Sequence, residues 1–221
     1  MTDLENRRPL KVRDTGWAKD FAARLAKAQV TPDLISALSV VFALLGAVLL
    51  AMAGVKPPIL RALLLLLAAA CIQGRLVCNL LDGMVAVEHG KGSSTGPIWN
   101  ELPDRFSDAL LLAGAGLMLA GLGWRIGSSL GWIAAILAII TAYVRELGRG
   151  FGFPADFTGP MAKPQRMAAL TVGCVLSAFE PLWNGAGEMM LIVMAVIVVG
   201  TGWTIARRVG NLAAGLRGKG G

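Results

Sequence analysis

Charge is what this sequence has least of. Asp, Glu, Lys and Arg make up 16% of its 221 residues, well short of the quarter or so usual in a soluble domain. A water-soluble globule is excluded on that ground. With 55% hydrophobic residues and a mean hydropathy of +0.64, the chain reads as an all-α integral membrane protein folded as one bundle. Cysteine is scarce too. Cys71, Cys78 and Cys174 lie within apolar stretches and make neither a C-x-x-C pair nor a zinc-type cluster, so they are read as buried small side chains. The single histidine, His89, belongs to a polar loop and is expected to face solvent. Residues 1–13 are polar with no apolar h-region behind them, so no cleavable signal peptide is expected.

Glycine, at 28 residues, is abundant, as suits helices that pack closely inside a bilayer. From about 14 to 28, Trp17, Phe21 and Leu25 recur at i, i+4, i+8 while Lys19, Asp20, Arg24 and Lys27 take other faces, the pattern of an amphipathic helix in the membrane interface. Thr31-Pro32-Asp33 opens a first span to about Gly54, with Thr31 as its cap. Further spans are expected at about 59–87, 97–122, 130–150, 164–179 and 188–206. Gly114, Gly116, Ala120 and Gly121 are assigned to helix packing. The chain thus divides into an arm and interfacial helix (1–30), a six-span domain (31–208) and an Arg- and Gly-rich tail (209–221).

Six spans place both termini on one side. Lys56, Arg61 and Arg125 are nearly the only basic residues on one set of loops, whereas the arm, the links at 88–96 and 151–163, and the tail hold most of the others. That excess belongs in the cytoplasm, across what is expected to be a bacterial inner membrane. The net charge of +7 then follows from topology and attraction to anionic headgroups, and no nucleic-acid partner is implied.

Polar residues at depth inside spans mark function by default. Asn79, Asp82, Gly83 and Ala86 fall on or near one face of the second span, and Gly96, Asn100, Asp104 and Asp108 follow strict i, i+4 spacing on the third. In an antiparallel hairpin, levels match where residue numbers sum to about 182. Asn79 then faces Asp104, and Asp82 faces Asn100. The site opens to the cytoplasm.

These residues resemble the motif of the CDP-alcohol phosphotransferases, D-x2-D-G-x2-A-R-x8-G-x3-D-x3-D. Asn79, Asp82, Gly83, Ala86, Val87, Gly96, Asn100 and Asp104 occupy its slots with every spacing preserved. Thr31-Pro32-Asp33-Leu34-Ile35-Ser36 is similar to the segment that opens the family's first span, and Arg145-Glu146 with the stretch 159–166 resembles, more loosely, its basic span ends. The resemblance implies six transmembrane helices behind an interfacial helix, a homodimer, and transfer of a phosphatidyl group from CDP-diacylglycerol or another CDP-alcohol to an alcohol acceptor. In the family, four aspartates hold two divalent ions, Mg²⁺ or Mn²⁺, over the CDP diphosphate. The fourth aspartate, here Asp104, deprotonates the acceptor, which attacks the β-phosphorus and expels CMP. Gly83, Ala86, Gly96, Asp33 and Ser36 would contact the nucleotide or substrate, and Arg145, Lys163 and Arg166 a phosphate or the acceptor.

Three slots depart from the family pattern: Asn79 and Asn100 stand for aspartates, and Val87 for an arginine. An amide oxygen can ligate a hard cation but brings no charge. Glu101, Asp104 and Asp108 fall at i, i+3, i+7, so Glu101 and Asp108 are the candidates to return that charge as metal ligands. Two other classes fit parts of the pattern. A non-catalytic lipid-binding or assembly relative would suit the two amides, and a small ion-coupled transporter would suit intramembrane acids, although the second half shows no repeat of the 79–108 hairpin.

Overall fold

The computed structural model describes residues 15–88, 90 and 94–219 and, within them, not the side chains of Pro97 and Asn100. The arm 1–13 and His89 lie outside the described residues. Among the described residues, seven α-helices and one 3₁₀ turn follow in order: α1 (Gly16–Lys27), α2 (Pro32–Ala53), α3 (Pro58–Glu88), α4 (Gly96–Gly121), α5 (Gly127–Gly150), α6 (Lys163–Phe179), the turn Glu180–Trp183, and α7 (Glu188–Lys219). Four helices, α2, α3, α5 and α7, are long and apolar enough to cross a membrane. α4 carries charges through its first half, and α6 has 17 residues.

Local signals account for most helix ends. Thr31 Oγ1 accepts the Leu34 N–H at 3.3 Å, and Pro32 occupies the first turn, where its missing N–H costs nothing. α4 runs on through Pro103. α7 does not stop near Ala206: it continues to Lys219, whose Nζ donates to Phe151 O and sits over the Phe153 ring. Good helix formers such as Leu, Ala and Arg carry it past the apolar segment.

α2 to α7 close into a ring in the order α3, α2, α4, α5, α7, α6, with α6 returning to α3. The hairpin expected of the second and third spans is not a packed pair. α3 and α4 barely touch through their backbones, because α2 packs against both. Small residues on α2 and α4 allow this: a Cβ on Gly46 would lie 2.8 Å from the Leu111 side chain and 3.2 Å from Cys71 Cβ, and one on Gly114 would lie 2.8 Å from the Ala47 backbone. α1 lays Ala18, Ala22 and Ala26, all buried, against the outside of the bundle at α3, and leaves Trp17 and Phe21 exposed on its other side.

One end of the ring is tied by its turns. Trp124 Nε1 donates to Ala186 O at 2.9 Å, Arg61 Nη2 to Gly185 O at 3.1 Å, and the buried Glu180 carboxylate accepts the Gly187 and Met189 N–H groups at 2.6 Å each. The opposite end collects the start of α2, α4 and α6 and the end of α3 and α5. All the polar candidates lie there.

The α4–α5 crossing is close. A Cβ on Gly116 would stand 2.6 Å from Gly131 Cα and 2.8 Å from Gly127 O, both backbone atoms that cannot swing aside. Gly116→Ala is therefore expected to cost about 1–3 kcal/mol, the usual price of overpacking, while Gly202→Ala, with nothing near its Cβ, should be neutral. Thermal midpoints in detergent check this, and equal midpoints for the two variants would contradict the close crossing.

Candidate active site

Asp82 and Asp104 are positioned by different helices and different neighbours. On α3, Asp82 is buried, and its Oδ2 accepts a 2.6 Å hydrogen bond from Ser36 Oγ on α2. Ser36 is in turn fixed by Ser39, whose Oγ donates to Ser36 O at 2.7 Å. Asp82 Oδ1 has no hydrogen-bond partner among the described residues. On α4, Asp104 Oδ1 accepts from Asn79 Nδ2 and, at 3.2 Å, from Arg75 Nη2, while Oδ2 accepts from Lys163 Nζ at the start of α6. The level match expected for Asn79 and Asp104 is present. That expected for Asp82 and Asn100 involves a side chain outside the described residues.

One turn deeper, Asp108 is 1% exposed and lies between Arg75 Nη2 at 2.7 Å and Arg166 Nη2 at 2.9 Å. Arg166, also 1% exposed, donates its Nη1 to Met161 O as well. The 151–162 loop holds this arrangement. Met161 N donates to Thr204 Oγ1 at 3.0 Å, and the buried Arg208 reaches Thr158 O and Thr141 O, each at 3.0 Å. Nearer the rim, Glu101 Oε2 pairs with Arg145 at 2.5 Å and Arg105 at 3.0 Å. Arg145 also meets Glu146 at 2.9 Å and covers the Phe157 ring.

Two expectations change with this geometry. Glu101 and Asp108 do not join Asp82 and Asp104 as open ligands, because arginines already neutralise both, and among the described residues no three Asp, Glu, His or Cys side chains converge on an ion position. Arg166, expected at a phosphate or acceptor, is sealed inside against Asp108, and Lys163 lies on Asp104. Arg75, one turn before Asn79 on α3, joins Asp104 to Asp108 and balances both acids. Of the remaining motif positions, Gly83, Ala86, Gly96 and Asp33 are half-buried, and Val87 is exposed.

No family model matches the chain. Two curated relatives align well. The bifunctional IPC transferase and DIPP synthase of Rubrobacter xylanophilus is 32% identical over 155 residues, covering 67% of this chain and 32% of that protein. The phosphatidylinositol phosphate synthase of Mycolicibacterium smegmatis is 25% identical over 192 residues, 82% of this chain and 79% of that protein. The chain belongs to the CDP-alcohol phosphotransferase family. It spans about a third of the length of the bifunctional member and about four-fifths of the other. The fold agrees with that of the Mycobacterium tuberculosis phosphatidylinositol phosphate synthase. With CDP-DAG bound, that structure matches at TM-score 0.74 and 21% identity, over 88% of this chain and 92% of the other. In complex with manganese and citrate it matches at TM-score 0.73 and 21% identity, over 88% of each chain.

The donors of this family member suit a hard divalent cation. Asp82 presents a buried carboxylate oxygen with no partner among the described residues, and Asp104 shares the same end of the ring. Carboxylate and amide oxygens are what Mg²⁺ and Mn²⁺ prefer.

Proposed function

We propose that the protein transfers a phosphatidyl or similarly substituted phosphate group from a CDP-alcohol, CDP-diacylglycerol foremost, to an alcohol acceptor, and releases CMP in phospholipid biosynthesis. The observation that carries this reading is the convergence of Ser36, Asn79, Asp82 and Asp104, from three helices, in a chain whose relatives are phosphatidylinositol phosphate synthases. The solved structure of similar fold holds CDP-DAG.

Asp82 and Asp104, with the side-chain oxygens of Asn79 and Asn100, would hold the divalent ion. When bound, Mg²⁺ or Mn²⁺ neutralises the diphosphate and clamps its oxygens. Ser36 aims Asp82 by fixing its Oδ2. Asn79 and Arg75 orient Asp104 through Oδ1, while Oδ2 retains a lone pair beside Lys163 to take the acceptor's hydroxyl proton. The acceptor oxygen then bonds to the β-phosphorus as the bond to CMP breaks. Gly83, Ala86, Gly96 and Asp33 line the approach of the nucleotide, and Arg145 stands at the rim where a phosphate or acceptor enters. Purified protein given CDP-diacylglycerol, Mg²⁺ and, in turn, inositol, inositol phosphate, glycerol phosphate or serine should release CMP with one of them and form the matching lipid. No CMP with any acceptor, in Mg²⁺ or Mn²⁺, would sink the reading.

In this reading α2 to α7 are six spans, α1 lies in the interface, the protein is a homodimer, and the site opens to the cytoplasm with both termini. The Lys and Arg excess supports that orientation. In a variant lacking the three native cysteines, a cysteine at the exposed Ser129 should be labelled only from outside the cell, and one at the exposed Ser94 only after the cytoplasm is opened. The reverse pattern would invert the topology.

A further inference from the structure

We propose that Lys163 takes the place of a cation at Asp104, so that the site holds one divalent ion rather than two. The inference rests on the metal reading above and deepens it.

Ligand supply is the first argument. Both oxygens of Asp104 are engaged, Oδ1 by Asn79 and Arg75 and Oδ2 by Lys163, and Oδ2 of Asp82 is taken by Ser36. Among the described residues that leaves Asp82 Oδ1 as the carboxylate oxygen of this pair with no partner. One ion can lodge there and share Asp104 through a remaining lone pair. A second would have to evict the ammonium group.

Charge gives the same answer. Four carboxylates, Asp82, Glu101, Asp104 and Asp108, meet four cations, Arg75, Arg105, Lys163 and Arg166, with Arg105 3.0 Å from Glu101 and 3.8 Å from Asp104 Oδ2 and Arg145 matched by Glu146, so the cluster is neutral before any ion arrives. One divalent ion leaves an excess of two positive charges, which a diphosphate can match. Two ions would leave four in a partly buried space, where repulsion is weakly screened. Asn79 belongs to the same exchange, because its Nδ2 donates to Asp104 where a carboxylate would repel it.

Lys163 is also held in place. It begins α6, followed at once by Pro164, and the preceding loop is pinned through Met161 to Thr204 and through Thr158 to Arg208. A lysine that merely anchored the helix would run out to headgroups, whereas this side chain is 23% exposed and turned inward onto Asp104.

The experiment counts ions rather than turnover. Detergent-purified protein is titrated with Mn²⁺, alone and with CDP, following free Mn²⁺ by electron paramagnetic resonance and heat by calorimetry. The wild type should bind one ion per chain. Lys163→Met should bind its first ion at least about tenfold tighter, since one opposing charge has gone, and Lys163→Met with Asn79→Asp should bind two. Two ions in the wild type, or unchanged affinity in Lys163→Met, would overturn the proposal and leave the transferase reading standing. No ion in the wild type, even with CDP, would remove the metal reading itself. Should the variants fail to fold, the wild-type count alone decides.

Discussion

Asp104→Ala and Asp82→Ala are each expected to lower CMP release by about 10²-fold or more, the loss typical when a catalytic acid–base group is removed. The two variants should differ in kind. Asp104→Ala removes the base and leaves Lys163 without its carboxylate, while Asn79 loses the group it donates to. Raising the metal concentration should not restore activity. Asp82→Ala keeps the base and removes the carboxylate whose buried Oδ1 has no hydrogen-bond partner among the described residues, so part of its loss should return at high Mn²⁺. Steady-state CMP release against metal concentration separates the two, and full activity in Asp82→Ala would mean that the cluster is structural. Asn100→Asp, which restores a motif aspartate, should be tolerated or should tighten metal binding.

Asp108→Ala is expected to fail through stability. The carboxylate sits between two arginines that are themselves 0% and 1% exposed at their side chains. Removing one partner of a buried pair costs about 3–5 kcal/mol, because the charge left behind has no water to turn to. Arg166 would keep its bond to Met161 O and lose its counter-ion, and Arg75 would keep only Asp104. The thermal midpoint in detergent should drop well below that of Glu101→Ala, whose ion pairs lie at the rim, with Glu101 35% exposed. Asp108→Leu combined with Arg166→Met should regain part of the loss, since an apolar pair of similar size fits the same space. An Asp108→Ala protein as stable as the wild type would overturn this account.

Much of the fold was legible because the bilayer narrows the choices: a backbone in lipid must satisfy its own hydrogen bonds, so apolar runs become helices. Thr31 marked a helix start that the structure confirms, and Gly114, Gly116 and Gly121 marked backbone contacts with Ala47, Gly131 and Gly54. The pairing of Asn79 with Asp104 followed from helical rise once the two spans were taken as antiparallel.

By itself the sequence determined the helical class, the membrane setting, the polar cluster within 75–108 and the family to which its spacing points. Tertiary structure alone decided that α2 lies between α3 and α4, that Ser36 holds Asp82, that Arg75 and Arg166 neutralise Asp108, and that Lys163 reaches Asp104. Periodicity says which residues of one helix share a face, but not which helix that face will meet. A long cationic side chain near a helix end can run outward to headgroups or inward to a carboxylate with the same sequence around it. Only the closure of the ring, which brings the start of α6 against α3 and α4, selects the inward course.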